Sequence, residues 1–165
     1  MKFAVILSSV RPGRVYDLPM LLGRFAYMDK NEPSYSKLSE ISDILRSCDA
    51  FIVCSAEYNF NIPPALTNLM NYFLEEYKYK PSAICCYSPG SFGGIRAGSV
   101  LRSYLDGLGC PSIPKMFPIP SVNNSVKEDG TTDNETLKKS LAGFLLELEW
   151  YAEALSAQRA KGLPQ

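Results

Sequence analysis

The sequence contains no histidine. That removes Ser-His-Asp hydrolysis, Cys-His proteolysis and histidine-ligated metal sites from its repertoire. It also lacks a charge excess: 17 lysines and arginines balance 17 aspartates and glutamates. With no overall positive field, neither nucleic acid nor an anionic membrane is an expected partner. No apolar run reaches the roughly 18 residues of a membrane span. The apolar start, Met1 to Leu7, is too short for a secretion signal and reads as a buried strand. These absences predict a soluble, cytoplasmic chain. The five cysteines are odd in number and show no C-x-x-C spacing, so they read as reduced core thiols with no metal site. An enzyme built from this chain must use carboxylates, thiols, backbone amides or a cofactor that brings its own chemistry.

What is present suits one folded domain spanning residues 1–165, with 46% apolar residues. Phe3–Leu7, Ala50–Cys54 and Ser82–Tyr87 are unalternating apolar runs of strand length, the pattern of a parallel sheet buried on both faces. A fourth strand between Cys110 and Ile119 carries Pro111, Pro114 and Pro118, which places it at an edge. Leu38, Ile41, Leu45 and Cys48 predict a helix from about Lys37 to Ser47. Leu66, Leu69, Met70, Phe73 and Leu74 predict another over Pro64 to Glu76. A third runs from about Arg96 to Leu108 and stops at Gly109. The last carries Leu137, Leu141, Phe144, Leu145, Leu148, Ala152 and Leu155 on one face, and Thr132-Asp133-Asn134-Glu135 fits a capping box at its start. Strands alternating with helices imply right-handed βαβ units and a doubly wound α/β sheet.

In such sheets ligands gather beyond the carboxyl ends of the strands. Ser8-Ser9-Val10-Arg11-Pro12-Gly13-Arg14 follows the first strand and offers hydroxyls and guanidinium groups to a phosphate. It equally suits a polar surface turn, and it is not a Walker loop. Ser55 to Pro64 follows the second strand. Its asparagines and aromatics suit a flat heterocycle, with Tyr58 and Phe60 as candidates to flank the ring, or else a capped turn with Asn61 as helix cap. Ser88 to Arg96 follows the third strand, and its glycines allow close backbone approach to a ligand or simply positive-φ turns. Three such loops in one chain favour a ligand.

Several of these residues together resemble the NAD(P)H-dependent FMN reductase family, which includes quinone, chromate and azo-dye reductases. The resemblance rests on Ser9 to Arg14, Glu57-Tyr58-Asn59 with Ile62-Pro63, Pro64-Ala65-Leu66 with Asn68, Lys80-Pro81, and Gly93-Gly94-Ile95-Arg96. It implies a flavodoxin-like fold with FMN as cofactor and NAD(P)H as electron donor. Ser9, Arg11 and Arg14 would hold the FMN phosphate. Glu57, Tyr58 and Asn59 would line the isoalloxazine ring, mostly through backbone groups. Ser88, Gly90, Gly93 and Gly94 would close its other side. The flavin carries the chemistry, so no catalytic side chain is implied. The resemblance further implies a small-molecule electron acceptor such as a quinone, and a homodimer.

One departure stands out. In the family the phosphate loop opens a helix that leads to a second parallel strand. Here Arg14 runs directly into Val15-Tyr16-Asp17-Leu18-Pro19. A parallel crossover needs about a dozen residues or more, so the first helix and most of the second strand are expected to be missing. The first strand then becomes an edge with apolar surface uncovered on one face. Residues 15–36 fill the gap, with Leu18, Leu21, Leu22, Phe25 and Tyr27 available to do so, or the chain is a shortened form. The alternative function is therefore a non-catalytic flavodoxin-like interaction protein with weak or lost flavin binding.

Overall fold

The computed structural model describes residues 1–8 and 24–164. Four strands form one sheet: β1 (Phe3–Ser8), β2 (Ala50–Ala56), β3 (Ser82–Tyr87) and β4 (Ser112–Ile119). The order is β1-β2-β3-β4 and every pairing is parallel. Five helices accompany them among the described residues: α1 (Tyr35–Ser47), α2 (Pro64–Asn71), α3 (Ile95–Gly107), the short α4 (Val122–Ser125) and α5 (Glu135–Arg159). The predicted α/β class and all four strands are present, with β4 at an edge. Its register with β3 slips between Ser82 and Ile84, beside Pro114, which has no amide to give the ladder.

Strand order and chirality decide the layers. Each strand adds on the same side of its predecessor, so right-handed crossovers put α1, α2 and α3 on one face. There Leu38, Leu45, Leu66, Met70, Leu101 and Leu105 pack on Ile6, Phe51, Val53 and Ile84. The opposite face carries α5, whose Phe144, Leu148 and Ala152 pack on Ala50, Ala83, Cys85, Ile113 and Phe117. Cys85 therefore faces α5. Its neighbour Cys86 faces Gly98 of α3, as strand alternation requires.

Three expectations need correction. The α2 helix ends at Asn71 rather than Glu76, because the Leu74 amide donates to the Glu76 carboxylate at 3.1 Å and leaves the helical ladder. That turn lets Tyr72, Phe73 and Tyr77 all enter the core. The cap of α5 is Asn134, not Thr132: the Asn134 side chain accepts from Leu137 N at 3.0 Å, while Thr132 Oγ1 donates to Ser125 O. On α5 itself, Leu141 and Leu145 are exposed. Leu145 lies about 100° around the helix from Phe144, at the margin of the buried face.

The β1 strand is an edge among the described residues, and its outer face leaves Phe3, Val5 and Leu7 in water. Between β1 and α1 the described residues hold only a 3-10 turn, Phe25–Tyr27. Phe25 docks on the α1–α2 side, 5.2 Å from the Tyr35 ring and 6.0 Å from Phe73, and Tyr27 is exposed. The expected omission of a helix and strand, and the cover anticipated from Leu18, Leu21 and Leu22, fall largely on residues 9–23, outside the described residues.

Candidate functional site

Because all strands run parallel, Ser8, Ala56, Tyr87 and Ile119 end at one rim of the sheet. The rim is cross-tied. Ser8 Oγ donates to Cys54 O at 3.0 Å, and Tyr87 Oη donates to Ser8 O at 3.3 Å. Ser9, Arg11 and Arg14, the expected phosphate contacts, lie outside the described residues.

Glu57 is the first residue after β2, and its amide donates to Tyr87 O at 3.2 Å. Its carboxylate reaches the start of α3 and accepts from the amides of Arg96 and Ala97, both at 3.2 Å. It also pairs with the Arg96 guanidinium at 3.6 Å. A carboxylate at a helix N-terminus satisfies orphan donors and meets the positive end of the dipole. Glu57 therefore fastens the β2–α2 loop to the β3–α3 loop. Its carboxylate is occupied by these contacts, and its amide by Tyr87 O. The α3 N-terminus is likewise already filled and is no second phosphate site.

Tyr58 and Asn61 exchange two backbone hydrogen bonds, each 2.9 Å. Between them Asn59 (φ 50°) and Phe60 (φ 64°) are both left-handed, which makes a type I′ turn. Asparagine suits the first central place. A bulky residue at the second costs about 1–2 kcal/mol. Asn61 does not cap α2: its Oδ1 accepts the Ile62 amide at 2.8 Å, and Pro63 occupies the cap position.

The β3–α3 loop is shaped by close backbone approach. Gly93 (φ 60°) and Gly94 (φ 77°) are buried. A Cβ at Gly93 would stand 2.8 Å from Pro120 N, and one at Gly94 would stand 2.8 Å from Tyr87 N and O. Ser88 and Gly90 are tied to the chain after β4: Ser88 N donates to Ile119 O, Ser121 N to Gly90 O and Val122 N to Ser88 O. Sequence reasoning missed this Pro120–Val122 brace, since nothing local marks it as part of the site. Ser121 is itself left-handed.

The structure thus brings Glu57, Tyr58, Asn59, Ser88, Gly90, Gly93 and Gly94 to one rim. Among the described residues the amides of Asn59, Phe60 and Gly90 carry no hydrogen bond, and all three residues are exposed. Unspent donors beside a close-approach loop fit the polar edge of a flavin ring. A stack that the sequence did not announce lies beside them. The Arg96 guanidinium sits 4.2 Å from the Phe60 ring centre and 4.6 Å from that of Phe92.

Other chemistries find little support. Burial pushes the Cys86 thiol up to about 12, with Glu57 and Cys54 adding to it, and burial likewise pushes Cys110 up to about 12. Neither is a thiolate near neutrality. Among the described residues no cluster of three acidic or cysteine side chains could hold a metal ion, and no helix is long and apolar enough to cross a membrane.

The chain has recognisable relatives. A family model described as NADPH-dependent FMN reductase matches residues 8–124. An NADPH azoreductase of Bacillus sp. is 25% identical over 112 residues, covering 67% of this chain and 63% of the relative. A quinone reductase of Pseudomonas putida is 28% identical over 108 residues, covering 62% of this chain and 58% of the relative. The chain thus matches less than two thirds of the length of either. Among solved structures, the flavoenzyme NAD(P)H:(acceptor) oxidoreductase FerB of Paracoccus denitrificans superposes with a TM-score of 0.71 at 22% identity, covering 94% of this chain and 97% of that one. An NADH:FMN oxidoreductase, EMOB, gives 0.58 at 14% identity, covering 93% and 89%. These likenesses establish the flavodoxin-like fold class. With the family match spanning the first three strand-end loops, the chain belongs to the NADPH-dependent FMN reductase family.

Proposed function

We infer that this chain is an FMN-dependent oxidoreductase that carries electrons from NAD(P)H to a small acceptor of the quinone or azo-dye kind. The observation that carries the reading is the locked pair of loops. Glu57 clamps the β2–α2 loop to the first amides of α3, and free amides of Asn59, Phe60 and Gly90 stand on the rim they form. When bound, FMN supplies the hydride and electron chemistry. The chain's own part is to bind and orient. Asn59 and Gly90 give amides to the ring's polar edge, and Gly93 and Gly94 keep α3 pressed against β3 and β4 behind it. Ser9, Arg11 and Arg14 take the phosphate. Overall NAD(P)H gives up a hydride. A quinone gains its two electrons with two protons, one from the hydride and one from solvent, and becomes the hydroquinone.

A one-domain, cytoplasmic homodimer accompanies this reading. Its support is the family together with the uncovered outer face of β1, where Phe3, Val5 and Leu7 are exposed. The same face favours the second reading, a non-catalytic interaction protein. The visible spectrum of the purified protein separates the two, followed by FMN titration. Flavin bands bleached by NADPH support the reductase. A colourless, folded protein that ignores added FMN leaves the interaction protein.

A further inference from the structure

Phe60 occupies a turn position that favours glycine, and the residue is 63% exposed. A strained bulky residue persists where its surroundings hold it, and such strain clusters at ligand sites. What holds Phe60 is Arg96, whose guanidinium also lies 4.6 Å from the ring centre of Phe92, itself 62% exposed. Phe60 and Phe92 come from the two loops that flank the expected ring site, and Arg96 from the first turn of α3. They leave two aromatic surfaces in water beside it. Among the described residues no hydrogen bond engages the Arg96 guanidinium, so its N–H donors beside the two rings are left for a ligand. Among the described residues its one ionic partner is Glu57, at 3.6 Å.

We propose that Phe60 and Arg96 determine which acceptor the enzyme prefers: a flat aromatic ring stacks on Phe60, and an anionic substituent such as a carboxylate or sulfonate meets the edge of Arg96. This rests on the reductase reading above. It adds residues and a charge preference that the reading does not contain. Stacking accounts for shape selection, and the planar guanidinium for charge selection.

The test compares two electron acceptors, anthraquinone-2-sulfonate and ferricyanide, in wild type, Phe60→Gly and Phe60→Tyr. The ratio of kcat/KM for the aromatic over the inorganic acceptor should fall about tenfold in Phe60→Gly and stay within about twofold in Phe60→Tyr, the range expected from losing one stacked ring. Arg96→Lys should lower the preference for anthraquinone-2-sulfonate over an uncharged quinone by about fivefold, because lysine lacks the planar fork. Binding of anthraquinone-2-sulfonate without NADPH, followed by calorimetry, should weaken in parallel. Phe60→Gly should melt no lower than wild type, since glycine relieves the left-handed strain, whereas a purely structural pin would lower the melt.

The proposal is overturned by an unchanged acceptor ratio with unchanged quinone binding. It is also overturned if Phe60→Gly loses FMN in proportion to quinone, which would place Phe60 in the flavin site. A change of oligomeric state with no change in acceptor ratio overturns it too, and makes the patch a subunit contact. Absent flavin bleaching in wild type is a failure of the reductase reading alone, because the quinone-binding comparison still reports on Phe60 and Arg96.

Discussion

Replacing Gly94 by alanine gives a sharp test of how the site loop is held. At φ 77° the new Cβ would stand 2.8 Å from both Tyr87 N and Tyr87 O and 3.0 Å from Tyr87 C. These are backbone atoms of the end of β3, so no side-chain rotation relieves the overlap. The left-handed conformation costs about 1–2 kcal/mol for a residue with a Cβ. Forcing a methyl into a close-packed contact costs about 1–3 kcal/mol more. Together they predict a loss of about 2–5 kcal/mol, which at about 2–4 °C per kcal/mol lowers Tm by roughly 4–20 °C. Two other glycines separate the terms. Gly130 is left-handed (φ 82°) with nothing within 4 Å, so Gly130→Ala should show the strain alone, about 1–2 kcal/mol. Gly107, the last residue of α3, has an ordinary φ and open space, so Gly107→Ala should stabilise by about 0.5–1 kcal/mol. Thermal and urea melts followed by circular dichroism give the ranking. A Gly94→Ala protein as stable as Gly130→Ala refutes the claim that α3 is pressed against β3 through this residue.

Three further outcomes are expected. Burial would push the Glu76 carboxyl up, but hydrogen bonds from Ser42 and from the Glu76 and Leu74 amides, with the Arg46 charge, outweigh it and hold it below the usual glutamate range. Its pKa is depressed on folding, so its contribution is full above the unfolded value and is lost as pH falls below about 4.5 through the folded one; Glu76→Gln should cost about 1–2 kcal/mol at neutral pH and flatten that acid slope in urea melts. Arg11→Ala should weaken FMN much more than riboflavin in fluorescence titrations, since it removes a phosphate contact; equal loss for both counts against a phosphate at that loop. Leu148, 1% exposed in the α5 core, should cost about 2–5 kcal/mol as alanine, and a change under 1 kcal/mol would mean α5 is not seated on the sheet.

The strands were legible because β2 and β3 are buried on both faces, and unbroken apolar runs such as Phe51-Ile52-Val53 have few other uses. Pro114 and Pro118 marked β4 as an edge for the same local reason, a missing amide. The strand-end loops were legible as candidates through Glu57, Asn59 and the glycines. The role of the Glu57 carboxylate was not, because its partners at Arg96 and Ala97 are some forty residues away.

Local pattern by itself determined the α/β class, the order of elements, and three loops rich in small and polar residues at strand ends. Those follow from period, length and turn chemistry, which act over a few residues. Only the tertiary structure decided that α2 stops at Asn71, that Phe60 is held left-handed over Arg96, and that Pro120–Val122 braces the Ser88–Gly90 loop. The last two depend on contacts between segments far apart in sequence, and the first on a Glu76 carboxylate that the distant Ser42 also holds. Propensity sums over neighbours in the chain, whereas these outcomes are set by neighbours in space.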